Sequence, residues 1–149
     1  MRALALVVGL ASIGCGAAPV MPIEPVEESA EAPPPRYAIA LRFEEEDPSE
    51  DGTPRTRVSL VRITPEGERS VHELRTELGA CYYEPHPGAL TAGVCWWAGA
   101  GARYVVLRRD DSIVALRAEA DEERGYRELE ELASVEVPED AELDVLGAR

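Results

Sequence analysis

Tyr37, Ile39, Leu41 and Phe43 alternate with Ala38, Ala40, Arg42 and Glu44. A repeat of two residues sends one set to a core and the other to solvent, so the segment predicts a half-buried β-strand. An acidic turn, EEDPSEDGTP, follows, and then Val58, Leu60, Val61 and Ile63. The phase slip between Leu60 and Val61 predicts a bulge or a strand covered on both faces. Pro65-Glu66-Gly67 reads as a tight turn into residues 70–78. There the pattern is ambiguous. Val71, Leu74 and Leu78 are spaced as on a helix, Ser70 and Glu73 fit a capping box, and Gly79 would end such a helix. A hairpin turn introduces the segment, so a strand is the preferred reading and one short helix the alternative.

The later elements are short and evenly spaced. Val94 to Ala98 and Ala102 to Arg108 read as strands around the turn Gly99-Ala100-Gly101, and Asp110-Asp111 turns the chain into Ser112 to Ala118. Leu129, Ala133, Val135 and Val137 lie at even spacing before Pro138, after an acidic approach, DEERGYRELEEL, that also suits a helical turn. Many short strands joined by Pro, Gly and Asp turns predict a mainly β fold, a small antiparallel β-sandwich or barrel built of hairpins. Residues 37–149 suit a single domain with a modest core.

The N-terminal segment, residues 1–36, is different. Residues 16–36, GAAPVMPIEPVEESAEAPPPR, carry six prolines and four glutamates. Such a composition buries too little apolar surface to offset ordering entropy, so a disordered stalk is expected, stiffened at Pro33-Pro34-Pro35. Before it, Arg2 precedes the apolar run Ala3 to Ile13, which ends at Gly14-Cys15-Gly16. That layout is a secretory signal over residues 1–14, and eleven apolar-rich residues are too few to cross ~30 Å of hydrocarbon as a helix. The end of the run resembles the lipobox of bacterial lipoproteins, although Ser12 stands where leucine is usual. The resemblance implies that Cys15 is diacylated and begins the mature chain, with the lipid as a stable membrane anchor. Gly16 after the cysteine resembles lipoproteins sent to an outer membrane. An ordinary signal peptide, cleaved for instance after Ala18, is the alternative.

Three cysteines are an odd number for an exported protein. With Cys15 taken by lipid, Cys81 and Cys95 remain as an even pair in an oxidising compartment, where a disulfide is expected. The same cysteines with His72 and His86 supply a zinc-type ligand set, but the spacing H-x8-C-x4-H-x8-C lacks the short clips that preorganise such sites. No metal and no cofactor is expected.

Charge excludes more. The chain has no lysine, asparagine or glutamine, and its net charge of −14 becomes −15 once Arg2 leaves with the signal. Such a surface repels phosphate backbones, so nucleic acid is not a partner. Lysine-dependent Schiff-base and phosphate-loop chemistry is excluded outright. Asp47-Pro-Ser49-Glu-Asp51-Gly52 copies the first half of a calcium loop, but Val58 stands where the bidentate glutamate belongs. No serine-hydrolase or metalloprotease motif occurs, and 29 acidic residues make carboxylate pairs uninformative. The chain reads as a non-enzyme, with an enzyme acting on envelope glycans as the rival.

Trp96, Trp97, Arg103 and Tyr104 form the most distinctive stretch. Adjacent strand residues point to opposite faces, so one tryptophan is expected to be exposed, and Trp, Tyr and Arg are the residues that anchor interfaces. These four are the candidate interface, for an envelope protein or glycan. The segment Gly99 to Tyr104 also slightly resembles a strand of the small lipoproteins that inhibit host lysozyme. That resemblance implies a disulfide-linked β-barrel that inhibits an exogenous hydrolase through a protruding segment. The serine and the lysine-glycine element of that family are absent. The overall expectation is an exported, lipid-anchored envelope protein, its domain in the periplasm or at the surface, that binds or scaffolds.

Overall fold

The computed structural model describes residue 16 and residues 32–147. The signal at 1–14, lipidation of Cys15 and most of the linker therefore lie outside the described residues. Pro33–Arg149 forms one compact unit.

Ten strands build two packed sheets. The first sheet contains β1 (Arg36–Glu46), β2 (Arg55–Ile63), β3 (Arg69–Leu78) and β10 (Glu142–Val145), in the order β10-β1-β2-β3. The second contains β4 (Ala80–Tyr83), β5 (Thr91–Trp97), β6 (Ala100–Arg109) and β7 (Ser112–Asp121), in sequence order. Beyond β7, β8 (Gly125–Tyr126) and β9 (Glu130–Glu136) pair with its two ends. The fold is a small β-sandwich, with no helix among the described residues. All pairings are antiparallel except β1 with β10, which runs parallel from Arg36↔Glu142 to Ile39↔Val145.

The core follows from the alternation. Ile39 and Leu41 of β1 and Val58 and Leu60 of β2 face Tyr104, Val106 and Ile113 of the second sheet, and all seven are fully shielded from water. Burial of each aliphatic side chain contributes about 1.5–3 kcal/mol. Val58, Ser59, Leu60 and Val61 are buried in succession, so β2 is covered on both faces, and its register with β3 slips between Val58 and Ser59. Burial on both faces therefore accounts for the phase slip at Leu60–Val61; the bulge lies elsewhere, in β3 opposite Val58 and Ser59. Residues 70–78 are strand. Leu74 is the extra residue opposite the slip and packs inward, whereas Val71 and Leu78 are exposed.

One residue moves the chain between sheets. Gly79 separates β3 from β4 with φ of +97°, and a Cβ there would lie 2.1 Å from the Trp96 carbonyl oxygen. Only glycine fits so close an approach in that conformation. The crossing is pinned by the Gly79 N–H donating to Pro54 O at 2.7 Å and by Thr56 Oγ1 donating to Gly79 O at 2.8 Å.

Candidate functional site

The β5–β6 hairpin organises the most reactive-looking surface. Its turn, Ala98-Gly99, has both residues at positive φ (51° and 79°), the geometry of a tight two-residue hairpin. The Gly99 carbonyl accepts the Glu122 N–H at 3.0 Å, which ties the tip to the segment after β7. Below the turn, Cys95 lies directly opposite Cys81 and the two are disulfide-bonded, so their sulfurs are not free for a metal. Among the described residues no group of three His, Cys, Asp or Glu side chains is placed to hold one.

Cys95 faces the core, so Trp96 points to the outer face of the second sheet and Trp97 returns to the inner side. The structure separates the two tryptophans completely. Trp96 is half-buried: its indole lies across Gly101, where a Cβ would come within 2.8 Å of the ring. The Tyr126 ring meets Trp96 edge-on at 6.4 Å, and the Arg103 guanidinium stacks on Tyr126 at 4.1 Å from its centroid. Arg103 also donates to Glu84 at 2.8 Å. Tyr82, exposed, stands one register row away, in the row Tyr82–Val94–Arg103. Tyr82, Trp96, Arg103 and Tyr126 thus form an aromatic platform with an arginine in it.

The sequence missed Tyr82 and Tyr126 and misplaced Tyr104. Tyr104 is not an interface residue: it is wholly buried, its hydroxyl donating to Glu77. Nor is Gly99 to Tyr104 a protruding segment, because the chain is already in β6 from Ala100 and its side chains alternate between core and sheet face. The likeness to lysozyme inhibitors therefore has no matching geometry.

On the inner side, Trp97 borders a cleft of about 480 Å³ between β3 and the ends of β6 and β7. Its floor is an ion-pair network across the sheets. Arg117 of β7 donates through Nε to Glu77 Oε1 at 2.5 Å and through Nη2 to Glu77 Oε2 at 3.2 Å, and through Nη1 to Glu119 at 3.1 Å. Burial opposes the Arg117 charge, but the hydrogen bonds it donates to Glu77 and Glu119 outweigh it and hold its pKa above the ordinary value. Burial, reinforced by the bond to Glu77, pushes the Tyr104 hydroxyl far up. The Arg117 hydrogen bond holds the Glu119 carboxyl below its ordinary range. Charged form is thereby favoured at Arg117 and Glu119, which suits binding and positioning rather than proton transfer near neutrality.

The β1–β2 loop, joined to Gly79 through Pro54, closes on itself. Asp51 accepts from the Ser49 hydroxyl and from the Thr53 N–H at 3.0 Å, and these bonds hold its carboxyl down at about 2. One carboxylate oxygen of the calcium-like sequence is thus spent on its own turn.

No known protein family, curated protein or solved structure matches the chain, so its function is read from fold and surface chemistry alone.

Proposed function

We propose that this is an exported envelope protein, lipid-anchored through Cys15, whose β-sandwich is a non-catalytic binding module. The binding surface is the platform of Tyr82, Trp96, Arg103 and Tyr126, and the partner is an envelope protein with a basic face. One observation carries this reading: the Arg103–Tyr126–Trp96 stack presents an exposed Tyr126 beside an exposed Tyr82, and it is already ordered by Glu84 and Gly101. Aromatic and arginine side chains held rigid before binding lose little entropy on docking, which is why such residues dominate interface energies. The partner's charge follows from a mature chain of −15 once Arg2 is removed. The Cys81–Cys95 disulfide supports an oxidising compartment, and the signal-like start supports export.

The test uses the full chain as bait in detergent-solubilised envelope. A captured protein is identified, purified and rebound to wild type, Trp96→Ala, Tyr126→Ala and Trp97→Ala. Loss of affinity in the first two, with Trp97→Ala unchanged, is the expected result; equal binding by all four overturns the platform. Labelled palmitate should enter the wild type and be absent from Cys15→Ser. Label persisting in that variant overturns the anchor.

A further inference from the structure

We propose that the cleft beside Trp97 is a second binding site, for one or two rings of an uncharged saccharide, distinct from the outer platform and independent of it. Trp96 and Trp97 belong to opposite faces of one strand, so the two sites share a hairpin but no side chain.

The argument begins with charge. Three arginines (Arg75, Arg117, Arg127) and three carboxylates (Glu77, Glu119, Asp121) line the cleft, which is therefore neutral on a chain of −14. An anionic ligand would be repelled by the chain as a whole. A cationic ligand would be drawn to the surface but would meet the arginines inside. A neutral ligand meets neither penalty.

The hydrogen-bonding inventory agrees. Arg117 and Glu77 are committed to each other. Arg75 forms no ion pair among the described residues, and Arg127 is 3.9 Å from Glu119, too far for a hydrogen bond. Asp121 spends one oxygen, Oδ1, on the N–H groups of Glu123 and Arg124, at 3.1 and 2.5 Å. The mouth therefore offers free planar donors on Arg75 and Arg127 beside spare acceptor capacity on Glu119 and Asp121. A sugar hydroxyl is both donor and acceptor, and vicinal hydroxyls match that mixture. Few other neutral ligands do.

Trp97 supplies the remaining element. It is 44 % exposed at the rim. The face of an indole is electron-rich, and the C–H groups on one face of a pyranose carry partial positive charge, so the ring has a flat surface to lie on. At about 480 Å³ the cleft falls within the roughly 300–1,000 Å³ of small-ligand sites and holds one or two such rings.

The chain contains only two tryptophans, which makes the test clean. In Trp96→Phe, Trp97 is the sole indole and reports the cleft; in Trp97→Phe, Trp96 reports the platform. The full chain, in detergent, is titrated with neutral tetrasaccharides of N-acetylglucosamine and of glucose, and with tetragalacturonate as the anionic comparison. Expected is a saturable change in Trp97 emission with a neutral sugar. It should weaken roughly tenfold in Arg75→Ala and Arg127→Ala, the loss of one charge-assisted hydrogen bond each. Both arginines are outside the buried ion pair, so neither change should unfold the domain. No saturable change with either neutral sugar at millimolar concentration overturns the proposal, as does binding undiminished in both arginine variants or a preference for tetragalacturonate. Because platform binding is read in Trp97→Phe, its failure is seen separately.

Discussion

Arg117 of one sheet and Glu77 of the other form a bidentate ion pair whose side chains are only 8 % and 11 % exposed. It is a buried polar bond between the layers, and Tyr104 completes it by donating to the same Glu77 oxygen. Breaking such a pair by removing one member leaves a buried charge uncompensated, at a cost of about 3–5 kcal/mol. Arg117→Met and Glu77→Gln are each expected to lose stability of that order in urea unfolding. The combined change Glu77→Leu with Arg117→Met should recover much of it, since no orphaned charge remains.

Tyr104 gives the network an alkaline signature. Its hydroxyl is raised above an ordinary 10.0 by burial and by Glu77. A group whose folded pKa is raised contributes stability that is complete below the unfolded value and lost as the pH climbs beyond it. Stability should therefore fall above pH 10, and in an ultraviolet titration Tyr104 should ionise only as the domain unfolds. Tyr104→Phe should reduce that stability loss on the alkaline side, to which Tyr83, also raised by burial, contributes; an unchanged alkaline profile would contradict the assignment.

The Cys81–Cys95 bridge spans 14 residues of sequence. In the chain-entropy picture, closing a loop of that length is worth about 3 kcal/mol. Cys81→Ser with Cys95→Ser is expected to lower the unfolding free energy by that amount, and adding reductant to the wild type should give the same midpoint.

Gly79 and Gly67 form a natural contrast. Both have positive φ, +97° and +85°, but a Cβ on Gly67 meets nothing within 4 Å while one on Gly79 strikes the Trp96 backbone. Gly67→Ala should cost about 1 kcal/mol, the conformational penalty alone. Gly79→Ala adds a clash with the backbone of β5 and should exceed about 4 kcal/mol. Thermal unfolding of the two variants distinguishes them directly.

The β1 alternation was legible because that strand has one core face, and Tyr37, Ile39, Leu41 and Phe43 all pack into it. Residues 70–78 mimicked a helix for a physical reason: the bulge at Leu74 shifts the inward phase, while Val71 and Leu78 are exposed at 55 % each and belong to no core stripe. β7 hid the burial of Arg117 because Arg117, Glu119 and Asp121 alternate with Ala118 and Ala120, a pattern that reads as a solvent face, whereas Arg117 is buried by the facing sheet and Glu119 is exposed. β10 went unseen because its partner lies more than a hundred residues away, at Arg36 to Ile39. The disulfide was inferable from parity and compartment alone. The cleft was not, since its residues come from β3, from strands β5 to β7 and from Arg127 just after β8, and nothing local marks them as neighbours.

The parallel pairing of β1 with β10 also determines how the domain bears load. The chain enters β1 at Arg36, and β1 is hydrogen-bonded on both sides, to β10 over Arg36–Ile39 and to β2 over Ala38–Glu46. A pull applied at Arg36, resisted elsewhere in the domain, runs along β1 and slides it against both neighbours, straining many bonds together instead of peeling them one at a time. Rupture under tension is governed by the unfolding rate, and shear across two ladders is the geometry that keeps that rate low. The strand that opens the sandwich is thus also its mechanical clamp.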